Sequence, residues 1–156
     1  MSEGEEYLLK WNDYHSSFLY MMENFCLSEE MVDCTISTGS KKYSAHKIIL
    51  ATCSSYFRSL LATVEPHQHP IFVLHDIDDG LLEMLLKYMY SGKVNVTEDK
   101  LVPLVTAAKD LEIKGLIDVP VEDNQQKITT SKTSLSIKGI PQKVPKIIEN
   151  KVYVLF

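Results

Sequence analysis

The sequence predicts an α+β domain, a small mixed β-sheet packed with a cluster of short α-helices. Three observations lead there. Apolar residues over 5–119 switch between strand-like and helix-like periods. Gly39, Pro70 and Gly92 punctuate the chain into short elements. The 156 residues are 45% hydrophobic and 24% charged, which suits one soluble domain with a real core.

The elements follow in order. Glu6–Trp11 (EYLLKW) is a short strand candidate. In Tyr14–Leu27, the apolar residues Tyr14, Phe18, Met21, Met22 and Phe25 recur at helical intervals. Leu19 and Cys26 widen that stripe, and a helix apolar over so much of its girth is buried on more than one side. The second side belongs either to the same chain or to a partner subunit. Met31–Ser37 alternates weakly and reads as a strand, Gly39-Ser40-Lys41 as a turn, and Lys42–Ala45 as the returning arm of a hairpin.

Two short helices are expected at His46–Thr52 and Ser54–Ala62, with Ser54 as N-cap of the second. Ile49, Cys53, Phe57, Leu60 and Val64 then form one face lining the core, with Cys53 serving as a small hydrophobe. Ile71–Leu74 is a buried strand. Asp76 or Asp78 caps the next helix, which Gly92 ends. Lys93–Val96 is extended. A last helical region spans Thr97–Leu111, with a short piece at Ile113–Ile117. Pro103 lacks an N–H to donate, which predicts a break just before it, with Pro103 in a first turn.

Composition shifts at Pro120. Residues 1–6 read as a flexible N-terminus, 7–119 as the domain, and 120–156 as a disordered basic tail or linker rich in Ser, Thr, Gln and Lys. Within that tail VPKIIENKVYVLF turns apolar again. It is too short for a core of its own, so it either docks on the domain or is the stub of a further segment.

Charge and cysteine usage exclude several functions. Residues 1–120 carry 10 Lys and Arg against 18 Asp and Glu, an acidic balance that repels phosphate backbones and argues against direct nucleic-acid binding by the domain. No apolar run approaches the roughly 20 residues that span a bilayer, and the acidic start is unlike a signal peptide. Cys26, Cys34 and Cys53 are scattered and odd in number, which suits free thiols inside a cell.

The stretch AHKIILATCSSYF (Ala45–Phe57) holds the residue types of nucleophilic catalysis. On one helix, however, His46 and Cys53 would stand about 10 Å apart along the axis, against the roughly 3 Å a nucleophile and base need. No Gly-x-Ser-x-Gly elbow flanks either serine. His67 and His69 lack a nearby thiolate and read as exposed loop residues rather than a metal site. Asp76, Asp78 and Asp79 favour a helix N-terminus over calcium. No catalytic, cofactor-binding or metal residue is therefore assigned, and the chain is not expected to be an enzyme. Asp33 stands out, because a carboxylate inside an apolar strand must be exposed or paired; Lys47 is the candidate partner.

Read together, KWNDYHSSF, VDCTI, AHKIILATCSSYF, HPIFVLHDI, LLKYMYSGKVNV and LVTAAKDLEIKGL resemble a BTB/POZ domain over about Tyr7–Leu116. The Trp11-Asn12 element resembles the tramtrack and bric-à-brac group of insect transcription regulators. The resemblance implies a homodimer in which the N-terminal strand and first helix meet a second copy. Leu8, Leu9, Trp11, Tyr14, Phe18, Leu19 and Met22 are its expected interface, and assembly beyond a dimer occurs in the group. It further implies a co-regulator pocket at Asp33 and Lys47, with lysine where some relatives carry arginine.

The resulting expectation is a nuclear, developmental transcription regulator that also occurs in the cytoplasm. It pairs with itself, other BTB proteins and transcriptional co-regulators, and lacks a DNA-binding domain of its own. The alternative is a substrate adaptor for a cullin-based ubiquitin ligase. That reading needs an apolar-x-Glu motif after the His46 helices, and Thr63 stands two positions before Glu65.

Overall fold

The computed structural model describes residues 4–120 and a strand at Val152–Leu155. Its elements are α1 (Tyr14–Ser28), β1 (Cys34–Ser37), β2 (Lys42–Ala45), α2 (Lys47–Cys53), α3 (Ser55–Leu61), β3 (Ile71–Leu74), α4 (Asp79–Ser91), α5 (Glu98–Asp110) and β4 (Val152–Leu155). The sheet order is β2-β1-β3-β4. The hairpin β1–β2 is antiparallel with Cys34 opposite Ala45, β1 and β3 run parallel with Ile36 opposite Phe72, and β4 returns antiparallel to β3. Helices packed on a mixed sheet make the fold α+β, as the sequence predicts.

The strands bury one face by alternation: Cys34 and Ile36 on β1, Phe72 and Leu74 on β3. Helix α4 adds Leu82, Leu85, Leu86 and Met89 to the same core and also buries Tyr90, together a clean i, i+3, i+4, i+7, i+8 stripe. Asp78 caps α4 by accepting from the Gly80 N–H, and Gly92 ends it in the left-handed region at φ 73°. Phe57 and Phe72 meet edge to face at the centre, 5.4 Å between centroids. Ile49, Cys53 and Leu60 are only half-buried and pack against this core, while Phe57 is fully inside it.

Ser54 joins three elements. Its buried Oγ accepts from the Phe57 N–H and donates to the Leu111 carbonyl, so one side chain caps α3 and ties it to the end of α5. Ile113 bridges back to Ser54, and the Lys114 N–H donates to the Cys53 carbonyl.

Several expectations need correction. Glu6–Trp11 forms no strand, and no strand among the described residues pairs with it. The first hairpin arm begins at Cys34 rather than Met31, whose φ of 56° is incompatible with a strand. Lys93–Val96 joins no strand, and Ile113–Ile117 forms turns. Helix α5 runs unbroken through Pro103: the ring faces outward while Leu104, Val105, Ala107 and Ala108 are buried. Their burial, worth about 1.5–3 kcal/mol for a Leu or Val, offsets one lost hydrogen bond. The disorder expected for 120–156 falls mostly outside the described residues, but Val152–Leu155 lies within them and docks on β3.

Candidate protein-interaction surfaces

The first surface is apolar and lies at the start of the chain. Tyr7, Leu8, Leu9, Trp11, Tyr14, Phe18, Leu19, Tyr20 and Met21 are all exposed, with Leu8 and Leu9 at 90% and 92%. Helix α1 packs on α4 only through its second half, where Met22 is buried and Phe25 and Cys26 are half-buried. Six of the seven expected interface residues thus face solvent, and Met22 instead belongs to this chain's own interior. Contiguous large apolar residues of this kind mark an interaction site, since water disfavours leaving them bare.

A buried strut anchors α1. The His46 Nε2 lies 2.8 Å from the Glu30 carbonyl, and its Nδ1 lies 2.6 Å from the Tyr90 hydroxyl. A carbonyl only accepts, so Nε2 carries the proton and Nδ1 accepts from Tyr90. The same Tyr90 oxygen accepts from the His46 backbone N–H at 3.0 Å. Burial pushes the Tyr90 phenol well above its ordinary range, which keeps this donor protonated. The histidine in the sequence stretch that resembles chemistry is therefore a strut that links the turn after α1 to Tyr90 on α4. Its partners lie 16 and 44 residues away, so spacing along the chain carries no sign of them.

Cys53 is half-buried and already hydrogen-bonded. Its Sγ donates to the Met89 carbonyl at 3.4 Å, and burial raises its thiol pKa. Cys34, fully enclosed, is pushed up to about 12 by burial first and by Asp33 second. His67 and His69 are exposed, and His69 pairs with the Thr35 hydroxyl at 2.9 Å. No group of three metal-ligating side chains occurs among the described residues, and no described helix is long and apolar enough to cross a membrane.

The second surface holds Asp33 and Lys47. Asp33 is exposed just before β1, and its own N–H donates to the Ala45 carbonyl at 3.1 Å, extending the hairpin ladder. Its Oδ1 accepts from the Lys47 backbone N–H at 2.6 Å. Helix α2 has no cap from its own His46, so Asp33 satisfies an otherwise orphaned donor. The Lys47 ammonium points elsewhere and donates to the carbonyls of Pro66 and Gln68. The two residues are neighbours, but their side chains form no ion pair.

A polar network missed in the sequence ties the hairpin turn to α4. Asp79 accepts from the hydroxyls of Thr38 and Ser40, and Glu83 accepts from Lys41 at 2.9 Å and Tyr43 at 3.0 Å. These bonds hold both carboxyls below their ordinary range.

The family model for the BTB/POZ domain matches residues 22–129. The chain belongs to this family. BTB/POZ relatives in Drosophila melanogaster include the Longitudinals lacking protein, isoforms A/B/D/L, 38% identical over 76% of this chain but only 15% of its own length. Protein bric-a-brac 2 is 38% identical over 75% of this chain and 11% of its own, in keeping with the resemblance seen in the sequence. The Longitudinals lacking protein-like protein is 33% identical over 77% of this chain and 94% of its own length. The BTB domain of zebrafish PATZ1 has the same fold, with a TM-score of 0.64 over 73% of this chain and 93% of that one at 23% identity. The chain thus spans a small fraction of the first two relatives and nearly the whole of the third. BTB/POZ domains are protein-interaction modules that generally self-associate.

Proposed function

We propose that this chain is a dimerisation module of a nuclear transcription regulator, and that it recruits co-regulators without contacting DNA itself. The single observation that carries this is the solvent-facing apolar surface of residues 7–21, built on a helix whose other end is rigidly held. Leu8, Leu9, Trp11, Tyr14, Phe18 and Leu19 are its contact residues for a second copy or another BTB protein. The N-terminal segment joins no strand among the described residues, and its backbone can be completed by a partner's sheet. The acidic balance of the domain keeps it off nucleic acid, so its influence on a gene passes through partners. Asp33 and Lys47 border the co-regulator surface, with the Asp33 carboxylate exposed.

Two differently tagged copies of the full chain, mixed and captured on one tag, test the pairing: the second tag copurifies. Fusing the chain to an unrelated DNA-binding domain above a reporter gene tests the regulation. A changed transcript level is expected, and an unchanged one contradicts it. Adding a cullin to the capture discriminates against the ubiquitin-ligase adaptor, for which strong retention would be required.

A further inference from the structure

The two flanks of the sheet are built differently. The β2 flank carries Lys41 and Lys42, charges that discourage another strand from adding there. The β3 flank, Ile-Phe-Val-Leu, carries no charge over its four residues and is matched by β4, Val-Tyr-Val-Leu, which carries none either. Between the domain and β4 lie residues 121–151, so β4 reaches β3 from far along the chain.

The backbone directions fix which groups face this edge. The Thr35 N–H donates to the Pro70 carbonyl at 3.0 Å, so Pro70 faces β1. Backbone groups alternate sides along a strand, so Phe72 also faces β1, while the N–H and C=O of Ile71 and Val73 face outward. Their register partners on β4 are Leu155 and Tyr153. These are the hydrogen-bonded pairs, and each exchanges both of its backbone bonds. Main-chain bonding of this kind gives affinity for an extended segment laid along the edge.

We propose that the outer edge of β3 is a strand-addition site whose resident ligand is this chain's own Val152–Leu155, and that the same segment of a second copy is the partner it takes once the resident strand is displaced. Tethering gives the resident strand an effective concentration on the order of millimolar, so a free copy at micromolar concentration loses the competition. Weakening the resident strand opens the site.

The test uses the full chain with Tyr153→Pro, which removes the N–H that pairs with Val73, and as a second variant Leu155→Pro, which removes the N–H that pairs with Ile71. Amide hydrogen exchange is read at Ile71, Phe72 and Val73. A fluorescent hexapeptide of sequence KVYVLF reports the opened site by anisotropy, with KVPVLF as control. Exchange at Ile71 and Val73 is expected to rise at least about tenfold in a variant while Phe72 keeps its protection, and that variant is expected to bind KVYVLF at least about tenfold more tightly than the unaltered chain. Unchanged exchange in both variants overturns the proposal. So does faster exchange without peptide capture, equal capture of the control, or loss of Phe72 protection in both variants, which would make β4 an integral part of the sheet.

Discussion

The Asp33 carboxylate accepts a hydrogen bond from the Lys47 backbone N–H at 2.6 Å, while the Lys47 ammonium reaches away to the carbonyls of Pro66 and Gln68. The pair is therefore a helix cap plus a loop clamp. Asp33→Asn keeps an accepting oxygen and is expected to change stability little, whereas Asp33→Ala loses about 1 kcal/mol. In a double-mutant cycle Asp33→Ala and Lys47→Ala add, because removing the Lys47 side chain leaves the capped N–H in place. Urea denaturation of the four proteins measures this, and a coupling above about 1 kcal/mol would indicate a true ion pair.

Ser54 is fully buried with both of its side-chain hydrogen bonds inside the domain. Ser54→Ala removes the α3 cap and strips the Leu111 carbonyl of a buried donor, for a combined expected loss of about 2–3 kcal/mol. Phe57→Ala, next to it, deletes a fully buried ring against Phe72 and is expected to lose about 3–5 kcal/mol. Urea midpoints order the two, and a loss below about 1 kcal/mol for either would contradict its place in the core.

Gly115 occupies φ 83°, and a Cβ there would collide with the Tyr88 hydroxyl, which donates to the neighbouring Lys114 carbonyl at 3.2 Å. Gly115→Ala must both strain the backbone and displace Tyr88, so it is expected to destabilise the chain by about 1–3 kcal/mol. Adding Tyr88→Phe removes the colliding oxygen and is expected to recover part of that loss in thermal melts.

Acid weakens the hairpin anchor. Hydrogen bonds from Lys41 and then Tyr43 hold Glu83 below its ordinary 4.5, and bonds from Thr38 and then Ser40 hold Asp79 below its ordinary 3.8. A depressed folded-state pKa contributes stability that is present above the ordinary value and is lost as pH falls through the folded one. The protection of amides in residues 38–41, taken relative to intrinsic exchange at each pH, is therefore expected to fall on acidification below about pH 4.5, and Glu83→Gln to flatten part of that fall.

Where local chemistry decides, the sequence was informative. The α4 helix with its cap at Asp76 or Asp78 (Asp78 in the structure), the Gly92 stop, the Lys42–Ala45 arm and the Ser54 cap all follow from residues within a turn or two of one another. What escaped the sequence depends on distant partners. The Glu6–Trp11 segment has strand propensity, but no strand among the described residues pairs with it. Pro103 is tolerated because core packing outweighs one hydrogen bond, and propensity alone has no knowledge of that packing. The His46 strut and the Asp79–Glu83 anchor join residues more than 15 positions apart, and no pattern along the chain encodes them.

If residues 7–21 form a self-association surface, the mass of the chain in solution reports it. Sedimentation equilibrium of the full chain at micromolar concentration is predicted to give at least twice the 17.8 kDa chain mass. A Phe18→Asp, Leu19→Glu double variant, altered at two residues that face solvent within the single chain, is predicted to stay folded and sediment as 17.8 kDa. A strict 17.8 kDa species for the unaltered chain would contradict the account.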